Sequence, residues 1–124
     1  MATSLVVYYS RKGENHYGNL HLHADASVIV NTTPVGMYPN SEGMPIDLAS
    51  FPQLQLVVDA VYNPLRSALV CDALEKGIPA VGGLYMLVAQ GAHASAIFTG
   101  KPIPSEKVEA VYRTLAREKE NIFL

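Results

Sequence analysis

Residues 56–81 read LVVDAVYNPLRSALVCDALEKGIPAV, and this stretch decides the fold. Its first three residues are apolar and mostly β-branched, which predicts a buried strand. Asn63 and Pro64 predict a helix N-cap followed by proline at the first helical position. The helix is expected to end before Gly77, where glycine commonly follows a helix, and residues 78–81 predict the next strand. A strand, a helix and a second strand in this order indicate a parallel sheet.

Outside this stretch, two apolar blocks and two helical segments predict the remaining elements. Residues 5–9 and 28–30 are short apolar blocks that predict two further buried strands. Residues 84–98 contain no Asp, Glu, Lys or Arg, so a helix here is expected to be buried on most sides. Pro104 and Ser105 predict the start of a last helix, because apolar residues recur behind them at amphipathic helical spacing.

The composition indicates one globular domain with few charges. The chain has 124 residues, of which 49% are apolar and 16% are charged, and its net charge is −2. Disorder is excluded because so apolar a chain offsets its ordering entropy by burial. An average soluble domain has about 25% charged residues, so we expect a partner domain or a second copy to cover part of this surface. The near-neutral balance argues against nucleic acid and membrane surfaces as partners.

Cysteine and histidine usage gives no indication of a disulfide or metal site. Cys71 is the one cysteine, which excludes a disulfide framework and is typical of a small apolar residue inside a helix. The histidines lack the spacing of a ligand set; they are His16, His21, His23 and His93. No stretch reaches the roughly 18 apolar residues of a membrane span, and we expect a reduced compartment such as the cytoplasm.

Polar residues follow each predicted strand at the point where the strand ends. Parallel sheets bind their ligands beyond the carboxyl ends of the strands, so the site is expected among these residues. They are Ser10-Arg11-Lys12, Asn31-Thr32-Thr33, residues 59–63 and Gly82-Gly83.

Three motifs at these strand ends resemble those of shikimate dehydrogenases. Residues 30–39 read VNTTPVGMYP and resemble the NTTPVGM segment of that family. Residues 59–65, DAVYNPL, are similar to its D-x-x-Y-N-P segment. Residues 82–90, GGLYMLVAQ, are similar to the start of its MLVxQ helix. The three motifs occur in the family's order.

The resemblance implies an NADP-dependent oxidoreductase that reduces 3-dehydroshikimate to shikimate in aromatic amino-acid biosynthesis. Members of the family have an N-terminal substrate domain and a C-terminal Rossmann-like NADP-binding domain, and residues 1–124 correspond to part of the second. The family's catalytic lysine and aspartate belong to the first domain, so no catalytic residue is assigned here. Its glycine-rich phosphate turn has no counterpart either, since no G-x-G occurs in these residues.

The expected class is α/β: a truncated Rossmann-like three-layer α/β/α fold with a mainly parallel sheet, its first strand and glycine-rich loop missing. In the usual strand order 3-2-1-4-5-6, that first strand lies between the strands predicted at residues 5–9 and 28–30. Without this strand, the neighbouring strands expose unpaired backbone N–H and C=O groups and apolar side chains. We therefore expect the fragment to repack or to pair its edges with a second copy.

The resemblance assigns the first cofactor contacts to Ser10, Arg11 and Lys12. The family's phosphate motif at this point is Asn-Arg-Ser/Thr, which these three residues match in part. Basic residues after this strand can bind the 2′-phosphate of NADP. The alternative is that two basic residues lie on a solvated turn.

Four further residues are implied to line the cofactor cleft. Asn31 and Thr32 follow the second predicted strand, and the alternative is that they hydrogen-bond the backbone of their own turn, together with Thr33. Ala60 and Gly83 match positions that approach the nicotinamide, where small residues let a flat ring come near the backbone. The alternative is that both only serve packing.

Two residues are implied to bind the substrate. Tyr62 matches a tyrosine whose hydroxyl reaches the substrate, and Gln90 matches a glutamine that hydrogen-bonds a substrate hydroxyl. Gln90 interrupts an uncharged segment, so its amide needs a partner if it is buried; the alternative is a capped core glutamine. Asp59 is expected to be a local structural acceptor rather than an acid–base group.

These observations predict part of an NADP-dependent shikimate dehydrogenase that has no turnover by itself. Its partners would be the small-molecule substrate and either the missing substrate domain or a second copy. One alternative is a non-catalytic module of the same origin that dimerises or docks a partner. Another is a relative that prefers quinate or uses NAD, since the phosphate motif around Arg11 is incomplete.

Overall fold

The computed structural model describes residues 6–10 and 17–122 of the chain. A 3-10 helix, Tyr17–His23, precedes the first strand, and a second 3-10 helix, Leu48–Ser50, lies between the first and second strands. The elements are β1 Val28–Asn31, β2 Leu56–Asp59, α1 Ala68–Glu75, β3 Ala80–Val81, α2 Leu84–Thr99 and α3 Ser105–Ile122.

The three strands form one parallel sheet in the order β1-β2-β3. The register places Ile29 beside Val57, and Val57 beside Ala80. Because side chains alternate along a strand, these three residues share one face, which we call the core face. The other face carries Val28, Val30, Leu56, Val58 and Val81, and we call it the open face. The predicted α/β class with a parallel sheet is confirmed.

The hydrophobic core lies on the core face, under α1. Its buried centre consists of Leu48, Val57, Leu69 and Ala73. Leu69 and Ala73 are four residues apart in α1, so both point to the sheet from one side of the helix. Partly buried apolar residues surround this centre; they are Ile29, Ile46, Leu54, Ile78 and Ala80.

The helix of the deciding stretch begins later than the sequence predicted. Asn63 and Pro64 lie in the preceding loop, and α1 begins at Ala68 with Ser67 as its N-cap. Ser67 Oγ accepts a hydrogen bond from the backbone N–H of Val70 and also donates to Asp59 at the end of β2. This second bond comes from a residue distant in sequence, which the local Asn-Pro signal does not contain.

The end of α1 agrees with the prediction. Gly77 adopts a φ of +75° directly after the helix, a conformation that glycine reaches without strain. In the last turn, Lys76 Nζ lies 2.6 Å from Asp72 Oδ1. This hydrogen bond raises the pKa of the Lys76 ammonium above its usual value.

The prediction of a strand at residues 5–9 is wrong for the residues of this segment that the structure describes. Residues 6–10 form no strand, and Val6 and Tyr8 are exposed; residue 5 lies outside the described ranges. A strand needs a neighbour for its backbone groups, and β1 pairs only with β2 among the described residues. Tyr9 instead packs edge-to-face on His23, and its hydroxyl contacts His23 Nδ1.

The prediction that the uncharged helix is buried on most sides is also wrong. In α2 only Leu84 is buried, whereas Ile97 and Phe98 are largely exposed. The helix packs against α3, where the rings of Tyr85 and Tyr112 meet edge-to-face with their centroids 5.3 Å apart. One neighbouring helix covers only one side of α2. We call the two helices the α2–α3 hairpin.

Helices were expected over both faces of the sheet, but one face stays open in the described part of the chain. Val28 is 49% exposed, Val30 57% and Val81 53%, and all three lie on the open face. No described helix has the length and apolar character that a membrane crossing requires.

Replacing Leu69 by alanine tests the position of the core. Leu69 is 1% exposed, so Leu69→Ala should lower the free energy of unfolding by about 2–5 kcal/mol. Leu74, on the same helix, is 45% exposed, and Leu74→Ala should change the free energy of unfolding by less than about 0.5 kcal/mol. Urea denaturation of both variants measures the difference. Equal losses would contradict this assignment of the core.

Candidate functional site

The turns that follow the three strands meet at one edge of the sheet. β1 ends at Asn31, β2 at Asp59 and β3 at Val81, and parallel strands place their carboxyl ends on the same side. The backbone of the turns is joined directly, because Ala60 N donates to Asn31 O at 2.9 Å. This edge is where a parallel sheet binds ligands.

A buried hydrogen-bond network centred on Asp59 fixes these turns. Asp59 is 1% exposed, and its Oδ1 accepts from Asn31 Nδ2 and from Val61 N, each at 3.0 Å. Its Oδ2 accepts from the hydroxyl of Ser67, which caps α1. The carboxyl group thus joins the ends of two strands to the start of a helix. The expectation that Asp59 is a structural acceptor is confirmed.

The side chain of Asn31 is used entirely within the protein. Its Oδ1 accepts from the backbone N–H and the hydroxyl of Thr33, at 3.1 and 2.7 Å, while its Nδ2 donates to Asp59. Asn31 is 5% exposed. Its side chain therefore shapes the turn after β1, as the structural alternative in the sequence suggested. Thr32, the next residue, is exposed.

The loops after β1 and β2 are held together further along the chain. Tyr38 N donates to Asn63 O at 2.8 Å, which joins the loop of the first motif to that of the second. Gly36 in the first loop is buried with a φ of +95°, and a Cβ there would lie 3.1 Å from Gly43 O. A glycine is therefore required at this turn.

Gly83, at the start of α2, lies against the turn after β2. Its N–H donates to Val61 O at 2.9 Å, and a Cβ added to it would lie 2.0 Å from Ala60 O. No side chain could be accommodated there without moving the backbone. Ala60 and Gly83 are thus brought into direct contact, and the contact itself explains why residue 83 is glycine.

Tyr62 lies in the turn after β2, and Gln90 lies on α2. Gln90 follows Gly83 by seven residues, which is close to two helical turns, so it lies on the same side of α2 about 10 Å further along. Gln90 is exposed rather than capped in a core, and the Tyr62 ring is partly exposed beside Val61. We call Ala60, Tyr62, Gly83 and Gln90 the strand-tip surface.

Lys119 is a charged residue at this surface that the sequence reading missed. Its Nζ lies 5.5 Å from the centroid of the Tyr62 ring, within the range of a cation–π interaction. Lys119 reaches Tyr62 because α3 runs back along α2 toward the sheet. In the sequence it is one of several charges near the end of an amphipathic helix, and nothing separates it from the others.

Comparisons with known proteins give one consistent result. The family model described as the shikimate 5′-dehydrogenase C-terminal domain matches residues 83–115. A shikimate dehydrogenase (NADP(+)) of Clostridium perfringens is 35% identical over 99 residues, which cover 80% of this chain and 36% of that enzyme. The chain thus spans about a third of the length of this relative.

Solved structures agree with the sequence comparisons. A chorismate mutase/shikimate 5-dehydrogenase fusion protein from Clostridium acetobutylicum matches with a TM-score of 0.84 and 30% identity, over 90% of this chain and 45% of that chain. The Thermus thermophilus shikimate 5-dehydrogenase in complex with NADP(H) and shikimate matches with a TM-score of 0.67 and 31% identity, over 81% and 38%.

The chain resembles the C-terminal part of shikimate dehydrogenases both in sequence and in fold. The resemblance read from three short motifs is therefore confirmed, and so is the truncated Rossmann-like class. The matched family model begins at Gly83, directly before α2, and ends at residue 115 in α3.

The structure brings together some of the residues that the shikimate dehydrogenase resemblance assigned and gives no test of others. Ala60 and Gly83 are in contact, and the side chains of Tyr62 and Gln90 are exposed. Ser10 is described and exposed, whereas Arg11 and Lys12 lie outside the described residues. The described residues hold no group of three or more His, Cys, Asp or Glu side chains arranged for a metal ion.

Two glycine substitutions test the contact between α2 and the turn after β2. Gly83→Ala should lower the free energy of unfolding by about 1–3 kcal/mol, since its Cβ would overlap Ala60 O. Gly91 lies inside the same helix with nothing within 4 Å of an added Cβ. Gly91→Ala should therefore stabilise the protein by about 0.5–1 kcal/mol. Thermal melting of both variants compares them, and a destabilised Gly91→Ala with a neutral Gly83→Ala would contradict the geometry.

Proposed function

We propose that this chain is part of the NADP-binding domain of a shikimate dehydrogenase and contributes to the reduction of 3-dehydroshikimate to shikimate in aromatic amino-acid biosynthesis. Residues 1–124 would act with a substrate domain that supplies the catalytic lysine and aspartate of the family. The observation that carries the proposal is the close contact of Ala60 with Gly83 at the carboxyl edge of the sheet, with the exposed Tyr62 in the same turn and the exposed Gln90 on α2. The Thermus neighbour, described as a complex with NADP(H) and shikimate, supports it.

The residues of the strand-tip surface fit the nicotinamide end of NADP. Ala60 is partly exposed and presents only a methyl group at the sheet edge where dinucleotides bind, and the buried Gly83 behind it adds no side chain. When bound, the nicotinamide of NADPH supplies the hydride. Thr32 adds an exposed hydroxyl at the end of β1, and Asn31 would act by shaping that turn. We assign the phosphate end to Ser10, Arg11 and Lys12, on the family motif that they match in part.

Tyr62 and Gln90 are suited to hold a hydroxylated ring. A phenol and an amide can each donate and accept hydrogen bonds, which matches a substrate with hydroxyl groups. Both side chains are exposed at the surface rather than tied to internal partners in the described part of the chain. The ammonium of Lys119 over Tyr62 keeps that ring in place and adds a positive charge near the substrate carboxylate.

The chain is proposed to have no turnover by itself. The strand-tip surface contains no acid–base pair, because Asp59 is buried and fully hydrogen-bonded by Asn31, Val61 and Ser67. The α2–α3 hairpin, with its exposed Ile97 and Phe98, offers an apolar surface on which the substrate domain could dock.

Mixing experiments with the Clostridium perfringens relative test the proposed function. The part of that enzyme outside the matched 99 residues would be expressed separately and added to this chain. Shikimate-dependent formation of NADPH should appear in the mixture and in neither component alone. If the two parts do not associate, a chimera that carries this chain's matched segment inside the relative provides the same test. A folded chimera without shikimate oxidation would overturn the proposal, and it would favour the non-catalytic docking module.

Gln90 gives a sharper prediction in the active mixture or chimera. Gln90→Ala removes one neutral hydrogen bond to the substrate, so kcat/KM for shikimate should fall about five- to tenfold. Glu75→Ala is the matched control, since Glu75 is exposed and lies at the far end of α1. Steady-state kinetics should show an unchanged control. Equal effects of the two substitutions would exclude Gln90 as a substrate-binding residue.

A further inference from the structure

Lys119 differs in its burial from the other cationic side chains that the structure describes. Its side chain is partly buried, whereas the other described lysines and arginines are exposed; they are Arg66, Lys76, Lys101, Lys107, Arg113 and Arg117. The ammonium of Lys119 lies over the ring of Tyr62, 5.5 Å from the ring centroid. Partial burial of a charge costs free energy unless attractive contacts compensate for it, and the ring face is one such contact.

The sequence of α3 places no acid one helical turn before Lys119. Arg113, on the same helix, forms a salt bridge with Glu109, four residues earlier, at 3.2 Å. The corresponding residue for Lys119 is Leu115, and the residues three positions to either side are alanine and isoleucine. An anion that pairs with Lys119 would therefore have to come from outside this part of α3.

The turn after β2 offers Lys119 a neighbouring hydroxyl but no available acid. Asp59 is buried, and its two carboxyl oxygens accept hydrogen bonds from three donors within the protein. Residues 60–63 read AVYN and contain no acid. The contact between Lys119 and Tyr62 thus places a positive charge beside a phenol hydroxyl at the carboxyl edge of the sheet, an arrangement suited to bind an anion.

A carboxylate on a hydroxylated ring fits this pair of groups. The two oxygens of a carboxylate can each accept a hydrogen bond of about 2.8 Å, so one carboxylate can join two donors about 6 Å apart. The ammonium over the Tyr62 ring and the hydroxyl at the edge of that ring are donors separated by a distance of this order. Phosphate is the other anion of the proposed reaction, and its contacts are assigned to a different segment, Ser10, Arg11 and Lys12.

We propose that Lys119 binds the carboxylate of the substrate together with the hydroxyl of Tyr62 and thereby selects acids over neutral analogues. The inference rests on the proposed function, because the carboxylate is that of shikimate and 3-dehydroshikimate. It adds a contact outside the three sequence motifs and outside the matched family model, which ends at residue 115. The ammonium attracts the carboxylate equally before and during hydride transfer, so it acts on KM rather than on kcat.

Substitutions of Lys119 test the proposal in the active mixture, or in the chimera extended to Leu124. Lys119→Met and Lys119→Gln should each raise KM for shikimate about tenfold, because the lost hydrogen bond joins two charged groups. Both should leave kcat and the KM for NADP+ within about twofold, and Lys119→Arg, which keeps the charge, should raise KM for shikimate by less than about threefold. Lys107→Met removes an exposed lysine from the first turn of the same helix and is the matched control, with no change expected.

The methyl ester of shikimate separates an effect of charge from an effect of shape. The ester lacks the negative charge, so the preference for the acid over the ester should fall about tenfold in Lys119→Met, with the ester measured as a substrate or as a competitive inhibitor. An equal loss for acid and ester would mean that Lys119 acts only by holding the Tyr62 ring, and it would overturn the proposal. An unchanged KM for shikimate in an active protein would overturn it as well and leave the proposed function intact. A folded chimera without shikimate oxidation would instead overturn the proposed function and this inference with it.

Discussion

The carboxyl group of Asp59 is the constraint on which the site depends. It accepts hydrogen bonds from Asn31 at the end of β1, from Val61 in the turn after β2 and from Ser67 at the start of α1. A buried carboxyl group is costly unless it is hydrogen-bonded, so these three segments cannot move independently. The edge of a sheet with only three short strands is thereby fixed with few other contacts.

From this network the site follows step by step. The bond from Val61 fixes the turn after β2, and that turn receives the N–H of Gly83 and its close backbone approach. Gly83 in turn begins α2, whose regular spacing sets the position of Gln90. The proposed ligand contacts are thus supported by residues outside that set, and Asp59 holds the turns in place through its hydrogen bonds.

The sequence predicted those features that depend on neighbouring residues and missed those that depend on distant ones. The alternation of strand and helix and the glycine after α1 are local signals, and both are correct. Ser67 caps α1 because Asp59 lies beside it, and the Asn-Pro pair upstream is a stronger local signal that points elsewhere. Lys119 reaches Tyr62 only because α3 returns along α2. The uncharged sequence of α2 suggested burial, but it carries no information on how many neighbours are there to bury it.

The unpaired strand edge and the exposed apolar helix have one cause: the core covers only part of the apolar surface in the described chain. The core of this chain is confined to one face of the sheet, where Leu48, Val57, Leu69 and Ala73 pack together. The open face and the α2–α3 hairpin hold apolar side chains that this core does not reach. Burying apolar surface contributes roughly 25 cal/mol for each Å², and association also has to offset the loss of translational and rotational freedom. These two surfaces are therefore where a partner would gain apolar contact, because the single core leaves them uncovered.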